Sequence, residues 1–217
     1  MKLCRALLLA LAAGGIAAPA LAFDDFQTWS EASFRYLKRD RLSLGVGAEL
    51  RLNDDSTFPV FTRVSHLARW RPGERWTFDG NLSYILLRVE DVSRIDTLRL
   101  ELTATPRWKT GERSTFELRN RVDLWWREGN ADEETVLRLR PHFVLNLDDD
   151  GRRKLWFGGE ALYSESLERL FQHRVHLIGA SLPVGRRVRV DLYAMVFSLR
   201  VGDDWRHDLV LGQSWIF

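Results

Sequence analysis

Over most of its length this chain alternates apolar and polar residues with a period of two, and charge stays on one parity. Across Leu98–Trp108, Leu98, Leu100, Leu102, Ala104, Pro106 and Trp108 oppose Arg99, Glu101, Thr103, Thr105 and Arg107. Phe116–Trp126 sets Phe116, Leu118, Val122, Leu124 and Trp126 against Glu117, Arg119, Arg121 and Asp123, with Asn120 the main polar exception on the apolar side. Leu42–Asn53, Trp76–Leu87, Leu137–Leu147 and Val188–Val196 repeat the pattern. Successive strand side chains point to opposite faces, so this pattern is that of β-strands with two contrasting faces. A split this clean demands one uniformly apolar environment and one uniformly polar one. No segment carries a convincing helical period, so the expectation is an all-β, antiparallel, up-and-down transmembrane β-barrel in a single domain, 23–217.

The two ends of the chain suggest where such a barrel resides. Lys2 and Arg5 precede the apolar run Ala6–Ala13, and Pro19-Ala20-Leu21-Ala22 supplies an A-x-A cleavage pattern, so residues 1–22 read as a secretory signal peptide. The sole cysteine, Cys4, falls within it, so the mature chain has no thiol chemistry. Losing Lys2 and Arg5 brings the 32 basic residues level with the 30 acidic ones, which removes any electrostatic case for nucleic acid. At the other end Leu209, Leu211, Gln213, Trp215 and Phe217 share a parity. An apolar strand closing on an aromatic is how bacterial outer-membrane barrels finish. The expected address is the Gram-negative outer membrane, with its lipid and the barrel-assembly machinery as partners and a monomer as the state.

Alternation alone leaves the facing open, because a soluble periplasmic lipocalin-like barrel shows the same period with its apolar face inward. Tryptophan placement favours the membrane. Trp70, Trp76, Trp108 and Trp215 fall by strand parity at the same end as Phe217, while Trp125, Trp126 and Trp205 fall at the other, as two interfacial belts would. Trp156 sits on the polar parity and is the weakest member of the set. Counting back from Phe217, the periplasmic connections are expected at Pro183–Arg187, Asp148–Lys154, Lys109–Arg113, Arg71–Arg75 and Lys38–Arg41. The outside ones fall at Val201–Arg206, Ser166–Leu170, Glu128–Glu133, Arg88–Arg94 and Asn53–Thr57. Eleven candidate strands conflict with the even number usual in single-chain bacterial barrels. The expectation is therefore about ten strands, alternatively twelve, with Phe26–Leu37 of uncertain placement and a lumen position open to it.

Several short motifs resemble the bacterial domain of unknown function 2490 family. They are Asp25-Phe-Gln27-Thr-Trp29-Ser-Glu31, Glu49-Leu-Arg51-Leu, Leu118-Arg119-Asn120-Arg121, Gly159-Glu160-Ala-Leu-Tyr163, and His173-Arg174 followed by Gly179. The resemblance spans essentially the whole mature chain, although the family often has Asn-Arg where His173-Arg174 stands. It implies an outer-membrane-like barrel and brings no substrate, cofactor or catalytic residue.

Function must sit on the polar face. Strand heights place Glu101, Glu117, Arg119, Arg121, Arg138, Arg140, Glu160 and Arg174 near mid-barrel, with arginine in excess. Such a cluster reads as a lumen salt-bridge network, or as a narrow water-filled path favouring anions. A lipid-modifying barrel enzyme is a further alternative, with His66, His142, His173, His176 and His207 as available bases and Ser164 and Ser166 nearby. Their spacing matches no catalytic signature, so no catalytic residue is assigned. His173 and His176 alternate faces on a strand, which argues against a metal site. No cofactor is implied.

Overall fold

In a computed structural model of the chain, residues 23–53, 58–89, 92–129 and 133–217 are described, and they hold eleven strands and no helix. The expected leader, 1–22, lies outside them, as do parts of the three connections expected at Asn53–Thr57, Arg88–Arg94 and Glu128–Glu133. The strands are β1 (Asp25–Arg39), β2 (Leu42–Asn53), β3 (Phe58–Trp70), β4 (Trp76–Val89), β5 (Val92–Lys109) and β6 (Ser114–Arg127). They continue as β7 (Glu134–Asn146), β8 (Lys154–Ser164), β9 (Arg169–Val184), β10 (Val188–Val201) and β11 (Asp204–Ile216). Each pairs antiparallel with the next, and the sheet closes into a barrel through β1 and β11.

That closure corrects the expected count. Phe26–Leu37 is neither a lumen segment nor half of a missed hairpin. It belongs to β1, which stands in the wall and pairs parallel to β11 from Asp25↔Asp208 to Ser33↔Ile216. The cause is geometric, because a closed ring of an odd number of alternating strands must leave one pair pointing the same way. Antiparallel pairing with β2 secures the other edge of β1. The Phe217 backbone N–H donates to the Ser33 carbonyl at 2.9 Å and its carbonyl accepts from Arg35 N–H at 3.3 Å, so the chain ends inside the ladder.

Facing is the inverse of a soluble barrel. Leu102 and Phe157 are half exposed on the outside, whereas their neighbours Glu101 and Asp123 are 3% and 0% exposed on the inside. Leu82, Leu98, Leu137, Leu139, Val64 and Leu211 continue the outward apolar surface. At the end of the barrel that carries Phe217, the C-terminal rim, aromatic rings meet edge by edge across neighbouring strands. Trp70 and Trp76 stack on Phe78 at 5.4 and 5.8 Å. Trp108, Phe116, Phe143 and Phe157 follow at 5.6, 4.8 and 5.3 Å. Trp215 is outward too, its indole N–H on Gln213 at 3.2 Å.

The inward face is not uniformly polar, contrary to the expectation from its parity. Toward the opposite rim it turns apolar, with Ile85, Val136, Leu162, Met195 and Val210 all nearly without exposure. Trp29, Met195 and Val210 form the core there, with Tyr193 and Phe197 against it. Trp125 also points inward, beneath Arg99 and Arg127 at 5.4 and 5.0 Å. Narrow barrels fill their interior with side chains, and here apolar ones are interleaved with paired polar groups, Gln27 on Asp208 at 2.6 Å and Arg127 on Glu134 at 2.6 Å.

Candidate functional site

A ring of alternating charge crosses the lumen. Going round from β2, Glu49 meets Arg63 at 2.7 Å, Arg63 meets Glu101 at 3.8 Å and Glu101 meets Arg121 at 3.2 Å. Arg121 meets Asp123 at 2.9 Å, Asp123 meets Arg138 at 3.1 Å, and Glu160 bridges Arg138 and Arg174 at 3.1 and 3.0 Å. Branches tie Glu31 to Arg63, Arg51 to Glu49, and Arg99 to Glu101. Asn81 on β4 donates its amide to Glu101 at 2.5 Å. The gap between β9 and β1 is spanned by stacking, Arg174 lying 5.0 Å over Trp29 and Arg51 3.8 Å over the same ring. Buried charges persist in a low-dielectric interior only when paired on all sides, which this alternation achieves.

Five of the eight predicted cluster residues therefore sit in the ring: Glu101, Arg121, Arg138, Glu160 and Arg174. Glu117, Arg119 and Arg140 do not. Each lies on its strand two or more residues nearer the C-terminal rim than a ring member, a step of about 7 Å or more along the strand. Glu117 is held instead by Arg107 at 2.7 Å and approached by His142 at 3.9 Å. The sequence reading left Glu31, Glu49, Arg51, Arg63, Arg99 and Asp123 out of the cluster, although strand parity already placed most of them inward.

Below the ring the lumen opens to the C-terminal rim as a cavity of ≈ 490 Å³. Its lining carries fourteen Arg and Lys side chains but seven carboxylates. Its aromatic wall is built by Trp156, which lies within 4.9 Å of His142, 5.3 Å of His176 and 5.8 Å of Tyr193, ring centre to ring centre. Trp156 is thus a lumen residue and no part of the outer band. Two glycines make room for this wall: a Cβ on Gly179 would lie 2.1 Å from the Trp156 ring, and one on Gly212 would lie 2.0 Å from that of Tyr193. On β9 the pairing with β10 skips Leu177, so Leu177 and Ile178 both face out while His176 and Gly179 face in.

The other histidines and serines are dispersed. His66 faces out and bonds Tyr36 Oη at 2.6 Å. His173 packs on Trp205 at 4.7 Å, and Ser164 Oγ donates to Glu134 at 3.1 Å. His207 Nδ1 pairs with Ser198 Oγ at 2.8 Å, but Ser198 has no exposure and an attacking hydroxyl must be reachable. Among the described residues no group of three His, Cys, Asp or Glu is placed to hold a metal. The expectation of no catalytic residue is neither supported nor contradicted by this arrangement.

The fold and lumen define a closed, charge-filled β-barrel. In comparisons with known proteins, no family model matches the chain and no curated protein matches it.

Proposed function

We propose that the protein is a monomeric outer-membrane barrel whose lumen is closed, a structural or receptor-like barrel in preference to an open pore. The observation that carries the address is the inverted facing, with Leu, Val and Phe outside and Arg, Glu and Asp within, and the ion-pair ring across the lumen supports its closure. Water would leave such an outer surface exposed far beyond the few hundred Å² a soluble monomer shows, whereas lipid covers it. Between Leu98, paired with Trp126, and Trp108, paired with Phe116, the strand spans about 33 Å, or about 25 Å upright at the usual tilt, which matches an outer-membrane apolar band. A lipocalin-like ligand barrel needs the reverse facing, so that alternative is set aside. The resemblance to the family of domain of unknown function 2490 fits the same reading, since its motif residues Glu49, Arg121, Glu160 and Arg174 lie in the ring and Glu31 and Arg51 branch from it, while its Arg119 lines the cavity below.

Membrane fractionation combined with planar-bilayer recording tests the proposal. The mature protein should begin at Phe23, enter the detergent-soluble outer membrane, and migrate differently before and after boiling. It should give no steady conductance in a planar bilayer. A soluble periplasmic product refutes the address, and a stable open conductance in wild type refutes the closed lumen.

A further inference from the structure

We infer that the cavity at the C-terminal rim is a binding site for a small organic anion bearing a phosphoryl group, held by Arg119 and Arg140 beside the Trp156 wall. The inference deepens the closed-lumen reading but does not need the membrane address.

Charge bookkeeping inside the cavity points to an anion. Each lining carboxylate already has a cation: Asp79 has Arg69 at 2.5 Å, Glu117 has Arg107 at 2.7 Å, and Asp191 has Arg189 at 3.1 Å. Glu31, Glu49, Glu101 and Glu160 are engaged in the ring. Among the described residues Arg35, Arg71, Arg119, Arg140 and Lys154, all on the lining, form no ion pair with any of them. Arg119 and Arg140 are moreover directly opposite each other in the β6–β7 ladder, where like charges repel. A protein rarely keeps two facing cations in a lumen without a counter-charge, because an uncompensated charge in a low-dielectric site is costly.

Buried polar atoms add an independent sign. Arg140 Nε, His142 Nε2 and His176 Nδ1 are shielded from solvent and lack a hydrogen-bond partner. All three belong to residues lining this cavity. Native interiors satisfy nearly all such atoms, so each of these three needs a partner that the surrounding protein does not supply, a bound anion being one that fits the guanidinium.

The geometry narrows the chemistry. Two guanidinium forks on adjacent strands, with Cα atoms about 5 Å apart, can converge on one centre. A carboxylate has two oxygens and fills a single fork, whereas a phosphoryl group offers three, enough for both. Lys154 and Arg71 add point charges toward the mouth. Arg140 also lies 5.7 Å over Trp156, so the fork adjoins an aromatic face suited to a flat organic group. The volume is within the range of small-molecule sites.

Calorimetric titration of the refolded full barrel in a non-ionic detergent, with phenyl phosphate, inorganic phosphate and citrate as probes, tests this. Phenyl phosphate should bind at a single saturable site and weaken as sodium chloride is raised. Arg119→Gln and Arg140→Gln should each lower its affinity at least tenfold, and Arg140→Lys should lose part of it by keeping the charge without the fork. Arg113→Gln, on a rim turn where Arg113 pairs with Asp149, should leave affinity unchanged. Thermal unfolding without ligand should be unaltered or raised in Arg140→Gln, which shows the variant is folded. Absence of saturable binding, or wild-type affinity in both glutamine variants, overturns the site. Inorganic phosphate binding as tightly as phenyl phosphate overturns the organic ligand, and citrate binding more tightly overturns the phosphoryl assignment. A soluble location for the protein would refute the proposed address and leave these outcomes unchanged.

Discussion

Glu160→Gln removes one negative charge from the ring while keeping the shape of the side chain. Its carboxylate is 5% exposed as a residue and holds two guanidinium groups, Arg138 at 3.1 Å and Arg174 at 3.0 Å. At an effective dielectric constant of about 20 each contact is worth about 5 kcal/mol of gross attraction. Desolvation of the carboxylate, several kcal/mol in itself, offsets much of that when the group is removed together with its burial cost. What remains is the cost of guanidinium groups that lose a shared counter-charge, and removal of one partner from a buried pair typically costs 3–5 kcal/mol. Asp123 still holds Arg138 at 3.1 Å, so the figure expected for Glu160→Gln is the lower end, about 3 kcal/mol. The assay is urea unfolding of the barrel in phospholipid vesicles, followed by tryptophan fluorescence. The matched comparison is Arg140→Gln, which takes away a cation that has no carboxylate partner and should be neutral or stabilising. A loss below about 1 kcal/mol for Glu160→Gln, the range of exposed pairs, would refute a dry, closed ring and imply water between its members.

Leu102→Arg, half exposed at mid-height on the outer face, should cost about 2–4 kcal/mol and slow assembly into vesicles if that face meets lipid; assembly as efficient as wild type refutes the lipid-facing reading. Gly212→Ala should push Tyr193 off its place and cost about 1–3 kcal/mol through overpacking, read as a lowered unfolding midpoint. At the rim turn Asp148 accepts the backbone N–H of Arg153 and Arg152 at 3.1 and 2.8 Å, and these bonds hold its carboxyl below the ordinary carboxylate range. With the folded value depressed, its contribution is fully present above the unfolded value of about 3.9 and is lost as pH falls through the folded one. Amide protection at Arg152 and Arg153 should therefore decline on acidification within that window, and Asp148→Asn should remove the dependence.

Much of the fold was legible because a strand's period of two leaves no ambiguity when charge occupies one parity. Arg99, Glu101, Arg121 and Arg138 could be placed on one face from their neighbours alone, and Trp70, Trp76 and Trp108, placed at one end by their distance to the turns, pointed that face inward. Less could be said of Trp156, whose polar parity was a true signal of a lumen position. The apolar upper lumen was hidden because Ile85, Val136 and Leu162 follow charged or polar residues on the same parity, and a short apolar stretch there resembles a strand end. Partner choice was hidden as well. Arg119 and Arg121 are two residues apart on one strand, yet one is bound by two carboxylates and the other by none.

The sequence by itself determined the strands, their two faces and which of the two carries the charge, because these follow from local alternation and backbone geometry. Tertiary structure decided the parallel closure of β1 on β11, since that depends on how many strands complete the circle. It also decided which arginines are neutralised, because the pairs form between side chains from different strands whose relative heights are fixed only when the tilted sheet closes. Arg119 in the cavity and Arg121 in the ring differ by two residues, as do Arg140 and Arg138, and only the register of the closed barrel makes that difference decisive.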